Sequence, residues 1–233
     1  MSDAQYSLAM VSAIRAALSE IINLRDQVTK KDDDSYVSEG DLLVQSIVFD
    51  YVREHLPEHE LISEELAPFV DRVWDPSGSY VVLDPIDGTE NFVSGLREWG
   101  VGISIYTNGL HQESCIYLPE LNDIQITGMP LRKFHSRIHG LSSSLNKNDL
   151  LQLPETGFEF RIIGCSMYNT LAAVRGAFAV FENVKGVNCW DVLPGLNLAL
   201  EHGCKVTVDD QPYTGQILFP QCKYKIRISN LEL

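Results

Sequence analysis

Residues 81–95 read V-V-L-D-P-I-D-G-T-E-N-F-V-S-G, and the interpretation of the chain starts from this stretch. The apolar run that begins at Tyr80 is typical of a buried strand, and it ends in Asp84. Pro85 fixes a turn, and Asp87 follows with a glycine. Because Asp, Gly and Pro are also the ordinary residues of surface turns, the pattern alone leaves two interpretations open. The stretch is either a simple strand exit or the floor of a metal site.

A metal site at this turn would have a clear chemical basis. Mg²⁺ prefers oxygen ligands in near-octahedral geometry and binds through a few carboxylates, water and substrate phosphate. Asp84 and Asp87 could supply such carboxylates, and Gly88-Thr89 begins a predicted helix that continues through Asn91-Phe92. The N-terminus of a helix offers free amides and the positive end of a dipole to a phosphate. The sequence therefore indicates that metal ligands and a phosphate cradle could share one turn.

Other acidic residues stand at comparable junctions along the chain. Glu64-Glu65 follows the short apolar run Leu61-Ile62, Trp190-Asp191 begins a predicted helix that runs to His202, and Asp41 caps a predicted helix that ends at Leu56-Pro57. Each of these alone is typical of a routine helix cap or dipole partner. Taken together, at the ends of predicted elements, they are candidates for one cluster.

Composition excludes several classes of partner. The chain has 233 residues, of which 45% are hydrophobic, enough for a sizeable core. Its 32 acidic and 18 basic residues give a net charge of -14, which would repel nucleic acid and anionic membranes. No apolar stretch approaches the ~20 residues that a membrane-spanning helix needs, and the first residues lack a leader pattern. We expect a cytoplasmic protein that binds neither membrane nor nucleic acid.

The order of apolar runs predicts the organisation of the fold. Apolar spacing near three and four after Asp3 predicts one long amphipathic helix whose inner face carries Leu8, Val11, Leu18, Ile21, Ile22 and Val28. Short β-rich runs follow at 60–63, 80–84, 99–106 and 112–118, and the C-terminal part alternates strands with helices. This alternation predicts a layered α/β fold. We expect a single domain over 1–233, with approximate halves at 1–125 and 140–233 joined by a loosely patterned region.

At this point the sequence resembles the inositol monophosphatase-like family of Mg²⁺-dependent, lithium-sensitive phosphatases. Members carry a Glu-Glu pair after a strand, then Asp-Pro-(Ile/Leu)-Asp-Gly-(Thr/Ser), and much later Trp-Asp at the start of a helix. This chain has Glu64-Glu65, the sequence D-P-I-D-G-T at 84–89, and Trp190-Asp191, in the same order. The resemblance covers nearly the whole chain and implies an alternating α-β-α-β-α sandwich, phosphatase activity and a homodimer.

The resemblance also assigns metal ligands. It implies that Glu64, Asp84 and the carbonyl of Ile86 hold a first ion. It implies that Asp84, Asp87 and Asp191 hold a second ion, so that Asp84 bridges the two. A third, weaker ion is expected beside Glu64. The implied cofactor is therefore two or three Mg²⁺ ions.

Catalytic and substrate-binding roles follow from the same resemblance. Asp41 and the Thr89 hydroxyl would orient the attacking water, Glu64 would serve catalysis as a ligand, and Lys30 is the candidate for a basic residue near the site. The residues expected to bind the phosphate ester are Asp87, Gly88, Thr89, Gly164, Cys165, Ser166, Glu182 and Asp191. The backbone amides of Gly88 and Thr89 would hold the phosphate itself.

Departures from the family pattern leave the substrate open. Glu90 replaces a small residue or a lysine, and we expect it to face solvent. Cys165 lies in a Gly-Cys-Ser-Met sequence where relatives have Gly-(Ser/Thr)-Ala-Ala, Glu182 lies further from Trp190 than in inositol phosphatases, and the region 119–157 is short. The pocket for the alcohol part of the substrate has therefore changed.

The candidate substrates are small phosphate monoesters. Inositol monophosphate and sugar phosphates are favoured weakly over 3′-phosphoadenosine-type nucleotides, because Glu90-Asn91-Phe92 differs from the Lys-Glu-Phe continuation of the nucleotide enzymes. The alternative from another class is a non-catalytic relative that uses the fold to bind a partner or a phosphate ligand.

Overall fold

The computed structural model describes residues 5–31, 35–69, 71–153 and 157–231. Asp3 and the acidic run 32–34 lie outside these ranges. The helices are α1 Tyr6–Ala16, α2 Leu18–Asn23, α3 Glu39–His55, α4 Thr89–Val93, α5 Lys147–Leu151, α6 Ser166–Val174 and α7 Cys189–Glu201. The strands are β1 Val28–Lys30, β2 Tyr36–Ser38, β3 Glu60–Ser63, β4 Tyr80–Asp87, β5 Gly100–Thr107, β6 Leu110–Leu118, β7 Asp123–Ile126, β8 Ile138–Leu141, β9 Glu159–Ile162, β10 Val180–Val187, β11 Lys205–Val208, β12 Gln211–Pro212 and β13 Tyr224–Ser229.

Two sheets carry the fold in the described part of the chain. The first has the strand order β3-β4-β5-β6-β7, in which β3 and β4 are parallel and the remaining pairs are antiparallel. The second has the order β12-β11-β13-β10-β8-β9, and β8 runs parallel to both β9 and β10. Strands β1 and β2 form a small separate hairpin. The chain passes from the first sheet to the second between residues 126 and 138.

Helices α1 and α3 cover the outer face of the first sheet. In α3 the buried residues include Val44, Val48 and Val52, whose spacing of four places them on one stripe. They join a core cluster with sheet residues such as Val81 and Leu83. Because this face of the sheet is apolar and fully covered, it forms the first of two cores.

Helices α6 and α7 lie between the two sheets and form the second core. Helix α7 is buried along most of its length, and Leu193 and Leu196 join a cluster that includes Val82 of the first sheet and Ile228 of the second. A helix that is apolar around most of its circumference is expected to be buried on all sides. The central helix layer therefore holds the two sheets together.

A buried polar network fixes α7 against the first sheet. The side-chain amide of Asn197 donates to the Tyr106 hydroxyl at 2.8 Å and to the Ser114 hydroxyl at 3.2 Å. The Tyr213 hydroxyl donates to the Asn197 carbonyl oxygen at 2.9 Å. Burial raises the pKa of Tyr106 to about 12. Since each amide end of Asn197 is satisfied, the network stabilises one orientation of the helix.

Helix α5 completes the layers on the outer face of the second sheet. Successive side chains of a strand point to opposite faces, so Glu182 and Val184 of β10 lie opposite the inward Phe181. Glu182 and Val184 line a small cavity with Asp149 of α5. The layered α-β-α-β-α prediction is confirmed. In the described ranges no helix combines the length and the apolar character needed to cross a bilayer.

The predicted long N-terminal helix is wrong in two respects. The Ala17 N–H is shared between the carbonyls of Ala13 and Ile14, which tightens the turn and separates α1 from α2. Leu8 is 44% exposed, and Val28 lies in the exposed strand β1 paired with β2. That 1–125 and 140–233 are separate folding halves of one domain stays a prediction.

Candidate metal centre and its cavities

Three carboxylates from distant parts of the chain meet where strands end and a helix begins. Glu64 follows β3 in a short 3₁₀ turn, Asp84 lies near the end of β4, and Asp191 lies in the first turn of α7. Each can offer one oxygen such that these atoms lie within 4.8 Å of one another. The sequence prediction brought these residues to one cluster, and the structure places them together.

Asp84 is the most deeply buried member of the cluster. It is fully buried, and no donor among the described residues reaches either of its carboxylate oxygens. Burial, with the nearby charges of Glu64, Asp87 and Asp191, raises its pKa well above the ordinary range. A buried carboxylate without a donor is costly unless a proton or a cation compensates it.

Asp191 belongs to the cap of α7. The Asn188 N–H donates to one carboxylate oxygen of Asp191 at 2.7 Å, in a capping box that fixes the start of the helix. Burial raises the pKa of Asp191 well above its usual value, and the charges of Glu64 and Asp87 add to this effect. The cap orients the residue while the rest of the carboxylate remains available to a ligand.

Lys31 is the cation that contacts this cluster. Its ammonium group donates to Glu64 Oε1 at 3.1 Å and to Glu65 Oε1 at 2.7 Å. Lys30, the candidate named from the resemblance, lies in the exposed strand β1. The basic residue seen beside the cluster is therefore Lys31, one position after the predicted Lys30. Burial raises the pKa of Glu65 to about 7, against the opposing effect of Lys31.

Asp87 connects the first sheet to the central helices. Its Oδ2 accepts hydrogen bonds from the Met167 N–H at 2.5 Å and from the Cys165 thiol at 2.8 Å, at the start of α6. Burial raises the pKa of Asp87 to about 6, although these hydrogen bonds lower it. Burial, and next the charge of Asp87, raise the pKa of the Cys165 thiol well above its usual value. Cys165 is therefore a neutral donor at this site.

Asp41 and Thr89 lie on the far side of the cluster from α7. Asp41 is the third residue of α3, not its cap as the sequence predicted, because the Ser38 side chain takes the cap position. The Ser38 N–H and hydroxyl donate to Asp41 Oδ2, which leaves Oδ1 at 3.5 Å from the Thr89 hydroxyl. The Thr89 hydroxyl also lies 3.0 Å from the carbonyl oxygen of Ile86. Burial raises the pKa of Asp41 to about 6.

Gly88 allows the turn between β4 and α4. It has φ +80°, and a Cβ atom there would lie 3.0 Å from the Cβ of Cys165. Asn91 of α4 fixes the opposite loop, since its amide donates to the carbonyl of Ile163 at 2.9 Å, just before Gly164. A residue with a side chain at position 88 would strain the turn and press against Cys165.

Two cavities border the cluster. The smaller, of about 200 Å³, is lined by Asp87, Ser142, Ser143, Ser144, Gly164, Cys165, Ser166, Asn169, Phe181, Asn183, Gly186, Val187, Asn188, Asp191 and Lys223. The larger, of about 880 Å³, includes Lys31, Glu64, Phe69, Trp190 and Lys223 in its wall. Asn188 and Lys223 line both cavities, so the two spaces meet beside Asp191.

Glu182 and Glu90 are among the residues singled out from the sequence that line neither cavity. The carboxylate of Glu182 accepts a hydrogen bond from Arg227 at 2.8 Å, and the residue lines the separate cavity beside α5. The structure therefore does not bring Glu182 to the cluster, because its side chain lies on the outer face of β10, opposite the inward Phe181. Glu90 is exposed and lines neither cavity, as expected.

The oxygen-only donor set fits a hard divalent cation. Zinc sites in proteins use mainly cysteine and histidine, whereas Mg²⁺ and Ca²⁺ take carboxylate and carbonyl oxygens. Glu64, Asp84 and Asp191 offer carboxylate oxygens, and the cluster is partly balanced by Lys31. Since Asp84 has no donor among the described residues, the residues present fit Mg²⁺.

Sequence reasoning missed several residues of the site. Lys31, Phe69, Asn169 and Lys223 stood out by no motif, and the serine run at 142–144 was interpreted as part of a loose junction. A polar run with three hydroxyl groups could have indicated a binding wall. The others depend on which elements pack together, which a local pattern does not contain.

The layered α/β fold places an all-oxygen acidic cluster, of the kind that suits a hard divalent cation, at the ends of its strands. The chain belongs to the inositol monophosphatase family, whose model matches residues 1–134. A Nus factor SuhB of Pasteurella multocida is 29% identical over 205 residues, which cover 76% of this chain and 73% of that protein. The fructose-1,6-bisphosphatase/inositol-1-monophosphatase of Thermotoga maritima is 26% identical over 203 residues, covering 78% and 75% respectively.

Solved structures share the fold. The IMPase of Thermotoga maritima matches with a TM-score of 0.79 and 22% identity over 99% of this chain and 92% of that one. An IMPase/NADP phosphatase complexed with Mg²⁺ and phosphate matches with a TM-score of 0.78 and 20% identity, again over 99% and 92%. At these identities the similarity establishes the fold.

Proposed function

We propose that this protein is a Mg²⁺-dependent phosphatase that hydrolyses a small polyol or sugar phosphate monoester. The observation that carries the proposal is Asp84, a buried carboxylate without a hydrogen-bond donor among the described residues, beside Glu64 and Asp191. Such a group is compensated by a cation, and its neighbours are oxygen ligands. The membership of the inositol monophosphatase family supports the same function.

The ligands follow from the cluster. Glu64, Asp84 and the Ile86 carbonyl would hold one Mg²⁺, and Asp84, Asp87 and Asp191 a second. When bound, Mg²⁺ supplies positive charge that offsets the phosphate oxygens and makes a coordinated water more acidic. One related structure is a complex with Mg²⁺ and phosphate, and another is an inhibitory complex obtained with LiCl, which supports this cofactor and inhibition by lithium.

The chain's own residues would orient the water and take its proton. Ser38 holds Asp41 by one oxygen, so that Oδ1 faces the Thr89 hydroxyl. Thr89 could donate its proton to this oxygen and accept one from the attacking water. Because burial raises the pKa of Asp41 to about 6, the carboxylate is mostly ionised near neutral pH and close to the range that suits a general base.

The turn at Gly88 would hold the phosphate. The first N–H groups of a helix have no partner within the helix, and those of Thr89 and its neighbours open α4 beside Asp87. Phosphate monoesters hydrolyse very slowly, so catalysis depends on positioning and on neutralising charge. Besides serving as a metal ligand, Asp87 would keep this turn in place through the hydrogen bonds that its Oδ2 accepts from the start of α6.

A nucleotide substrate is the second candidate. The larger cavity carries aromatic side chains, with the rings of Phe69 and Trp190 at 6.5 Å between centroids, and such walls suit a base. A related IMPase/NADP phosphatase is complexed with NADP and Ca²⁺. We favour the small ester because the polar cavity, not the aromatic one, is lined by both Asp87 and Asp191.

A non-catalytic binding role is the third candidate. Several similar proteins carry the name Nus factor SuhB, which describes no hydrolysis. Every carboxylate of the cluster is present in this chain, which supports catalysis instead. The homodimer and the cytoplasmic location stay predictions.

Phosphate release from a panel of small monoesters tests the proposal. Inositol 1-phosphate, glucose 6-phosphate and 3′-phosphoadenosine 5′-phosphate would each be assayed with Mg²⁺ and with EDTA. We expect Mg²⁺-dependent release that Asp84→Asn abolishes, whereas the matched control Asp50→Asn, at an exposed site of α3, keeps full activity. Release that survives both EDTA and Asp84→Asn would exclude this mechanism. No phosphate release from any ester of the panel, together with retained Mg²⁺ binding, would favour the binding role.

A further inference from the structure

We propose that the ion pair of Arg25 and Glu120 is a positioning device for helix α4, the helix that begins at Thr89. Both side chains lie outside the metal cluster and outside the two cavities that border it. The inference rests on the proposed phosphatase function, in which Asp41 and the Thr89 hydroxyl orient the attacking water. It assigns a role in that reaction to an ion pair that no motif of the sequence marks.

Helix α4 is too short to hold its own place. It has five residues, Thr89–Val93, and a helix of this length is marginal in isolation, so its position depends on contacts with neighbouring elements. Two of its side chains supply such contacts. The Asn91 amide donates to two loop carbonyls, at 2.7 and 2.9 Å, and Phe92 is completely buried. Groups that fix the Phe92 ring therefore also fix the helix that carries Thr89.

The Phe92 ring is enclosed by three groups. The guanidinium carbon of Arg25 lies 4.7 Å from the ring centroid, in a cation–π contact. The Trp99 ring packs edge-on against it, with 4.9 Å between the centroids. On a third side lies Gly40 of α3, where a Cβ atom would be 3.1 Å from the Phe92 ring. Because Gly40 immediately precedes Asp41, the Phe92 ring sets how closely α4 approaches the turn that carries Asp41.

Glu120 holds two of these groups with one carboxylate oxygen. Its Oε2 accepts hydrogen bonds from the Arg25 guanidinium at 2.6 Å and from the Trp99 indole N–H at 2.6 Å. The side chains of Arg25 and Glu120 are only 17% and 18% exposed, so salt screens this pair weakly. Arg25 comes from the turn after α2 and Glu120 from the turn after β6, so the pair connects two distant segments to α4. Removal of Arg25 would release the Phe92 ring on one side.

An ion pair at this place contributes orientation more than stability. Partly buried ion pairs cost desolvation, and apolar residues of similar volume often stabilise a protein as well or better. Their hydrogen bonds, in contrast, have a defined geometry. The distance from Asp41 Oδ1 to the Thr89 hydroxyl is already 3.5 Å, at the outer limit of a hydrogen bond. A small displacement of α4 would therefore break this contact.

The test compares Arg25→Met with Arg175→Met, which removes the same side chain from another partly buried ion pair. Arg175 lies at the end of α6 and pairs with Asp123 at 2.8 Å, with side chains 24% and 33% exposed. A misplacement of about 1 Å can lower a rate about a hundredfold, so kcat for the best ester of the panel should fall about ten- to a hundredfold in Arg25→Met. The ratio kcat/KM should fall equally, because orientation of the water matters in the transition state. Arg175→Met should lower only the melting temperature.

A second measurement needs neither metal nor substrate. Hydrogen exchange of the α4 amides in EDTA, followed by mass spectrometry of peptides that cover 88–96, reports how firmly the helix is held. We expect this exchange to be about tenfold faster in Arg25→Met than in the wild type, and unchanged in Arg175→Met. Arg25→Lys keeps the charge but lacks the planar group that lies on the ring, so its kcat and its exchange should lie between those of the wild type and Arg25→Met. If Arg25→Met does not fold, Arg25→Lys takes its place.

The outcomes separate the two proposals. A lower melting temperature at unchanged kcat would leave the ion pair a structural role only and overturn the inference, as would an equal loss of kcat in Arg175→Met. A lower kcat with unchanged exchange in α4 would exclude the route through this helix. In each of these cases the phosphatase function stands. Wild-type protein that releases no phosphate from any ester overturns the proposed function, and the positioning role with it.

Discussion

Replacing Asp84 by asparagine should make the metal-free protein more stable and inactive at once. Asp84 is fully buried, and its oxygens have no donor among the described residues. An unsatisfied buried polar group costs about 1–3 kcal/mol, and more when it is charged. Asn keeps the shape but removes the charge, so the free energy of unfolding in EDTA should rise by about 1–3 kcal/mol.

This gain can be measured as a melting temperature. For a chain of this size, one kcal/mol corresponds to roughly 2–4 °C, so Asp84→Asn in EDTA should melt about 2–12 °C higher than the wild type. In Mg²⁺ at a thousand times its Kd the order should reverse, because the ion then stabilises the wild type by about 4.1 kcal/mol, more than the gain of the variant, and the variant loses a ligand. Phosphate release should be abolished.

Differential scanning fluorimetry in EDTA and in Mg²⁺ provides the assay, with Asp50→Asn as the exposed control. A variant that melts several degrees below the wild type in EDTA would refute the reasoning, because the carboxylate would then be stabilised by the protein alone. Equal stabilisation of both proteins by Mg²⁺ would remove Asp84 from the ligands.

Three further outcomes follow from other features. Burial raises the pKa of Asp41 to about 6 and that of Glu65 to about 7, so in the folded protein both carboxyls are mostly protonated at about pH 5 and ionised at about pH 8. Because the added negative charge beside the cluster attracts Mg²⁺, stabilisation by Mg²⁺ over EDTA should grow across this range, and a constant difference would contradict this. Gly88→Ala should lower the melting temperature and the activity more than Gly203→Ala, because both glycines have positive φ but only the new Cβ at position 88 would contact Cys165. Equal melting temperatures of the two variants would exclude this contact. Tyr213→Phe should cost about 1–3 kcal/mol in denaturant unfolding without changing kcat, and lost activity at full stability would contradict its structural role.

The sequence predicted the strands that deliver the site better than the helices that surround it. The runs at 60–63 and 80–84 match β3 and most of β4, because buried strands in this sheet are continuously apolar and end in charged or turn residues. In the first helix the prediction is right for Val11 and Ile21, which are buried, and wrong for Leu8, which satisfies helical spacing but faces solvent. Spacing gives the period of an element, whereas its orientation depends on the neighbouring layers.

The residues of the candidate site also differ in whether the sequence could predict them. Asp84 and Asp87 could be predicted because both lie on one strand end, and Asp191 because a helix cap is a local pattern. The places of Glu182 and Asn169 could not be predicted, since the outward face of β10 and the packing of α6 decide where these side chains lie. Side-chain direction across elements is a tertiary property.

The distribution of the site's carboxylates along the chain has a consequence for how such genes are classified. Residues 1–134, which the family model matches, contain Asp41, Glu64, Asp84 and Asp87, while Asp191 lies beyond them in α7. A shortened gene that ends after the first sheet would keep the diagnostic motif and still encode a protein with an open, incomplete ring of carboxylates. The codon for Asp191 is therefore more informative than the motif itself when genome surveys separate working copies from remnants.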